Sequence, residues 1–114
     1  MTPFVLMSLL LTAVVEGDPK SPVRVVIYED LQCGDCATFR EMLDQRLLAK
    51  YGAKVAFEHR DFPLTKHDWA RQAAVAARHF DRENPKLGVE FRRRTLAKLK
   101  DITPEDLGQH IAAF

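Results

Sequence analysis

The stretch that decides the fold is Val23-Arg24-Val25-Val26-Ile27-Tyr28-Glu29-Asp30-Leu31-Gln32-Cys33-Gly34-Asp35-Cys36. Its first six residues are β-branched and almost continuously apolar, which is how a central strand buried in a parallel sheet reads. From Gly34 to Lys50 the pattern turns helical, with Phe39, Leu43 and Leu47 on one stripe and Met42 beside it. Tyr51-Gly52 ends that helix, since glycine is favoured just past a helix C-terminus. The two cysteines therefore fall where strand gives way to helix. Residues i and i+3 of a first helical turn lie about 5 Å apart at Cα, within the range a disulfide requires. Cys33 stands at the N-terminal edge, where unpaired backbone N–H groups and the helix dipole favour a thiolate. Cys36, one turn in, is expected to be more buried and to act as the resolving thiol.

A second strand follows at residues 54–59, alternating Val55 and Phe57 with polar neighbours. Arg60-Asp61-Phe62-Pro63-Leu64 is a loop, because Pro63 forbids simple continuation of the strand. Trp69 to Phe80 reads as a helix whose Ala73, Ala74, Ala76 and Ala77 allow close packing. Beyond Asn84-Pro85, Val89 to Leu99 and Pro104 to Ala113 read as two more helices, the last with Thr103 as N-cap and Asp106 three residues on. The order is β-α-β followed by α-α-α, and the first three elements form one right-handed parallel unit. Two strands make a poor sheet. The expectation is an α/β domain with an incomplete sheet and homo-oligomerisation through its open edges.

At 114 residues the chain holds one domain at most, and its net charge of +1 offers nothing to nucleic acid. The one basic cluster, Arg92-Arg93-Arg94 with Lys98 and Lys100, reads as a solvated helix face. Two cysteines are too few for a disulfide-stapled scaffold, so they are a redox pair or half a metal site. Zinc needs four ligands. The chain has His59, His67, His79 and His110 but no second CxxC, and the histidines read as surface or loop residues. Residues 1–17 form a separate apolar segment: Phe4 to Val15 is too short to span a membrane and suits either a signal-peptide core cleaved after Gly17 or a packing strand. The domain proper is then 18–114.

Glu29-Asp30-Leu31-Gln32-Cys33-Gly34-Asp35-Cys36, followed by Phe39, resembles the active-site segment of DsbA-like thiol–disulfide oxidoreductases, which have a thioredoxin-like fold. Gly17-Asp18-Pro19-Lys20-Ser21-Pro22-Val23 is similar to that family's lead-in to its first core strand. His59-Arg60-Asp61-Phe62-Pro63-Leu64, His67 and the Ala-rich run Ala70 to Ala77 resemble the block after the second strand. Two departures stand out. Family members usually carry an aromatic residue, His or Pro between the cysteines, where this chain has Gly34-Asp35. The family's Gly-Thr-Pro-like segment, whose cis-proline faces the dithiol, has no counterpart, so the domain reads as C-terminally incomplete, ending within the helical insertion.

The resemblance implies a protein thiol–disulfide oxidoreductase working in the periplasm or elsewhere outside the cytoplasm, with a cytoplasmic location as the alternative. Cys33 would be the nucleophile and Cys36 the resolving thiol. The partners would be protein or peptide thiols and disulfides, with an unknown redox partner and no organic cofactor or metal. Glu29 and Asp30 are candidates for proton transfer or pKa tuning, against a reading as strand-end surface charges. Trp69 and Phe62 are expected to pack under the helices. Two rivals stand beside the enzyme: a non-catalytic thioredoxin-like fragment that dimerises through its open sheet, and a zinc-binding regulatory domain.

Overall fold

The computed structural model describes residues 14–114. Three strands form one sheet: β1 (Val14–Gly17), β2 (Arg24–Glu29) and β3 (Ala56–Asp61), in the order β1-β3-β2. β2 and β3 run parallel, from Arg24 opposite Ala56 to Glu29 opposite Asp61. β1 is a strand beyond the two expected, and it runs antiparallel along the other side of β3, with Val14 opposite His59. The expectation for residues 1–13 lies outside the described residues. Gly17 ends β1 at a φ of +83°, a backbone region glycine enters freely, and a Cβ there would lie 2.3 Å from the Val55 carbonyl oxygen. No other residue fits that turn.

The crossover helix α1 joins β2 to β3. It runs as an α-helix over Gly34–Met42, widens to a π-helical turn over Leu43–Leu47 and resumes over Leu48–Tyr51. Phe39, Leu43 and Leu47 pack with Ile27 and Phe57 on one face of the sheet, as the helical stripe requires. α2 (Ala70–Glu83) and α3 (Pro85–Ala97) then pair closely, and a 3-10 turn (Leu99–Asp101) leads to α4 (Leu107–Ala113). Their shared core joins Leu31, Trp69, Ala73, Ala77, Phe91, Leu96 and Leu107.

The boundaries shift for local reasons. α3 begins four residues earlier than its apolar pattern, because Asn84 caps it by accepting the Lys86 N–H and Pro85 suits a first helical position. α4 begins later than expected. Thr103 and Asp106 bond to each other in the turn that precedes it.

Two expectations of burial need correction. β2 is an edge strand, with Val23, Val25, Val26 and Tyr28 all 40% exposed or more. β3 occupies the centre instead, and no strand among the described residues pairs with the outer edge of β2. The basic cluster is only partly a solvated face: Arg94, Lys98 and Lys100 are exposed, but Arg92 is 3% exposed, held by Asp61 at 3.1 Å and Asp81 at 2.7 Å. Arg93 and Arg94 are spent on Glu90, and Arg93 also on Asp44.

Candidate active site

Cys33 and Cys36 are both half-buried, and they lie in contact with each other. Cys33 is the N-cap of α1, in extended backbone geometry, and its thiol makes no capping bond to the helix. Cys36 packs against the core beside Leu31 and Trp69. Burial pushes the Cys36 thiol up to about 11, and the neighbouring Cys33 and the Glu29 charge push the same way. One group opposes them: the Asp30 N–H, which donates to Cys36 Sγ at 3.5 Å.

Glu29 and Asp30 are both buried, at 5% and 4% exposure, so the reading as surface charges is overturned. Asp30 is the knot of the site. Its carboxylate accepts the N–H of Gln32 at 2.7 Å, the N–H of Leu64 at 2.8 Å and His67 Nδ1 at 2.8 Å. Its carbonyl accepts the Cys33 N–H at 3.1 Å. The Gln32 side chain adds a second tie across the same gap, donating to Asp68 and accepting the Trp69 N–H. The loop after β3 is thus bound to the turn that carries the dithiol.

Glu29 belongs to a second, wholly ionic group. Its carboxylate lies 3.0 Å from His59 Nδ1, while His59 Nε2 lies 2.6 Å from Glu16 of β1. Burial would push His59 down, but the bonds to Glu16 and Glu29 outweigh it and raise its pKa to about 9. Burial likewise would raise Glu16, yet His59 and the Arg40 guanidinium hold it at about 2. His59 is therefore a buried cation, not the surface residue expected, and Arg92 Nε stands 3.8 Å from the same Glu29 oxygen.

Of the two aromatic candidates, Trp69 is fully buried as expected, whereas Phe62 is 59% exposed and meets Tyr28 edge to face. A groove of about 390 Å³ runs along the outer edge of β2 to the dithiol, lined by Val25, Ile27, Tyr28, Phe39, Asp35 and Cys36. No group of three His, Cys, Asp or Glu side chains suited to a metal ion occurs among the described residues. The dithiol was legible from CxxC at a strand–helix joint. The Asp30–His67 tie was not, because its partners lie 37 residues apart and only the fold brings them together.

A parallel strand–helix–strand unit with a dithiol at the helix N-terminus defines a thioredoxin-fold domain. A family profile described as Thioredoxin matches residues 10–109, and the chain belongs to that family as a DsbA-like member. Among solved structures it is similar to alpha-DsbA1 of Wolbachia pipientis, with a TM-score of 0.73 at 25% identity over 89% of this chain and 52% of that one. It is also similar to the thiol-disulfide exchange protein alpha-DsbA2 of the same organism, with a TM-score of 0.75 at 21% identity over 90% of this chain and 53% of that one. The chain spans about half the length of these relatives. No curated protein matches it in sequence.

Proposed function

We propose that the chain exchanges disulfides with protein or peptide substrates through Cys33 and Cys36. The observation that carries this reading is the pair of adjacent cysteines at the start of α1, one capping the helix and one set against the core. In the reductive direction the Cys33 thiolate attacks a substrate disulfide, forming a mixed disulfide and releasing one substrate thiolate. Cys36 then loses its proton and attacks the Cys33 sulfur, which releases the second substrate thiolate. Two electrons pass to the substrate and the chain leaves as the Cys33–Cys36 disulfide; oxidation of a substrate dithiol is the reverse. The dithiol carries the electrons, so the reading needs no organic cofactor.

The test pairs an insulin-reduction assay with oxidation of a dithiol peptide. Turnover in either direction that is lost in Cys33→Ser supports the proposal, and equal rates in the parent and Cys33→Ser overturn it. We place the activity outside the cytoplasm, since an apolar run leads into β1 and oxidising compartments are where such exchange is used. Reporter fusions that are active only when exported test that placement, and activity only in the cytoplasm refutes it.

The exposed outer edge of β2 favours a second reading, a non-catalytic module that pairs through this edge with a second copy. Sedimentation velocity decides it: a dimer without turnover favours the module, and a monomer with turnover favours the enzyme.

A further inference from the structure

The second half of the exchange poses a problem that the first half does not. Cys36 must become a thiolate to resolve the mixed disulfide, yet its surroundings hold its proton on: it is partly buried, and the Glu29 charge is near. One hydrogen-bond donor reaches its sulfur from the main chain, the Asp30 N–H at 3.5 Å. Where that N–H points depends on how residue 30, just past β2, is held, and the loop after β3 does much of the holding.

We propose that Asp30 is a positioning residue for the resolving step, aiming its N–H at Cys36 Sγ, and that His67 is the removable pin that keeps it aimed. The inference rests on the exchange reading above. The carboxylate of Asp30 is 4% exposed and spends both oxygens, one on the Gln32 N–H and the other on the Leu64 N–H and His67 Nδ1. Its carbonyl takes the Cys33 N–H. A single residue therefore contacts the main chain of the attacking cysteine and the sulfur of the resolving one, while its side chain is fixed by the loop after β3. Two of the three bonds to the carboxylate come from main-chain N–H groups that side-chain substitution leaves in place. His67 supplies the third from a half-buried position, where its loss leaves no cavity in the core.

The mechanism separates the two cysteines. Cys33 attacks from the helix edge and gains nothing from the Asp30 N–H, so loosening Asp30 spares the first step. Cys36 loses the donor that stabilises its thiolate, so the second step slows. Weakening one hydrogen bond of this kind is expected to slow resolution about fivefold.

The experiment follows reduced protein mixed with a dithiobis-nitrobenzoate disulfide, which releases one coloured thiolate as Cys33 attacks and a second as Cys36 resolves. In His67→Ala the second release is expected to slow about fivefold while the first stays within about twofold of the parent. In His67→Asn, whose amide nitrogen falls near the place of Nδ1, the second rate is expected to return to within about twofold of the parent. Asp30→Ala is expected to slow resolution further; where it fails to fold, the His67 pair decides. An unchanged second release in His67→Ala, equal slowing in Ala and Asn, or equal slowing of both releases overturns the inference while leaving the exchange reading intact. Absence of the first release in the parent overturns the exchange reading, and this inference with it.

Discussion

Raising the pH from 6.5 to 9 is expected to remove about 3 kcal/mol of folding stability through one side chain, His59. The histidine sits 2–5% exposed between two carboxylates, Glu16 at 2.6 Å and Glu29 at 3.0 Å. Its pKa rises from 6.5 in the unfolded chain to about 9 in the folded one. Because the folded value is the higher, the stabilisation is complete below pH 6.5, where both states carry the proton, and is lost as pH climbs through 9. The shift from 6.5 to about 9, at about 1.4 kcal/mol per unit, sets the full effect at about 3–4 kcal/mol, of which about 3 kcal/mol is lost between pH 6.5 and 9. Urea unfolding of the reduced protein at pH 6, 7, 8 and 9 measures it. With a slope of about 1–3 kcal/mol per molar, the midpoint falls by about 1–3 M over that range. His59→Gln supplies the control: the variant is less stable at pH 6, and its midpoint is much flatter. A parent profile parallel to the variant's refutes the reasoning, since the pH dependence then belongs to groups other than His59.

On the acid side, Glu16, held at about 2 by His59 and Arg40, contributes stability present above its unfolded value of 4.5 and lost as pH falls towards 2; Glu16→Gln should remove that part of the acid transition in the same titration. With its thiol at about 11, Cys36 is a thiolate in about one molecule in ten thousand at pH 7, so iodoacetamide followed by mass spectrometry should mark Cys33 at least tenfold faster than Cys36. Gly88→Ala should cost about 1–3 kcal/mol in urea unfolding, because a Cβ there falls 1.5 Å from Asp81 Oδ1 and forces that carboxylate off Arg92. Asp35→His removes an exposed negative charge beside the reduced dithiol and should make the disulfide about threefold easier to reduce, read from the glutathione equilibrium; no change, or a change the other way, shows the side chain points away from Cys33.

What could be read from the sequence was whatever repeats at short range. The strand-to-helix change of period around Cys33 and the Phe39–Leu43–Leu47 stripe marked the dithiol's place and the helix behind it. Trp69 and the alanines of α2 were likewise visible as core. β1 was offered only as one alternative, a packing strand, and its place beside β3 was not read because Glu16 puts a carboxylate where an apolar strand would continue, which only Arg40, His59 and Arg93 explain. β2 was read as central because apolar composition reports affinity for burial, not the order of strands. His59 and Arg92 were given to solvent, and Glu29 and Asp30 were left between a role at the dithiol and the surface, since each is charged and its side-chain partners lie 30 residues or more away except Asp81. Paired burial of charge leaves no periodic trace.

The ionic group around Glu16 also acts as a lock on strand register. β1 is only four residues long, and four residues of backbone pairing choose weakly between neighbouring alignments. A slip of one residue against β3 would turn Glu16 to the opposite face of the sheet, leaving His59 and Arg40 without that carboxylate and Val15 in its place. His59 would keep only Glu29 and Arg40 only Asp44, and two buried cations that each lose one of their carboxylates are disfavoured by more than so short a ladder can recover elsewhere. The shortest strand is thus the one whose position is set by charge, and an error in docking it would be rejected rather than tolerated.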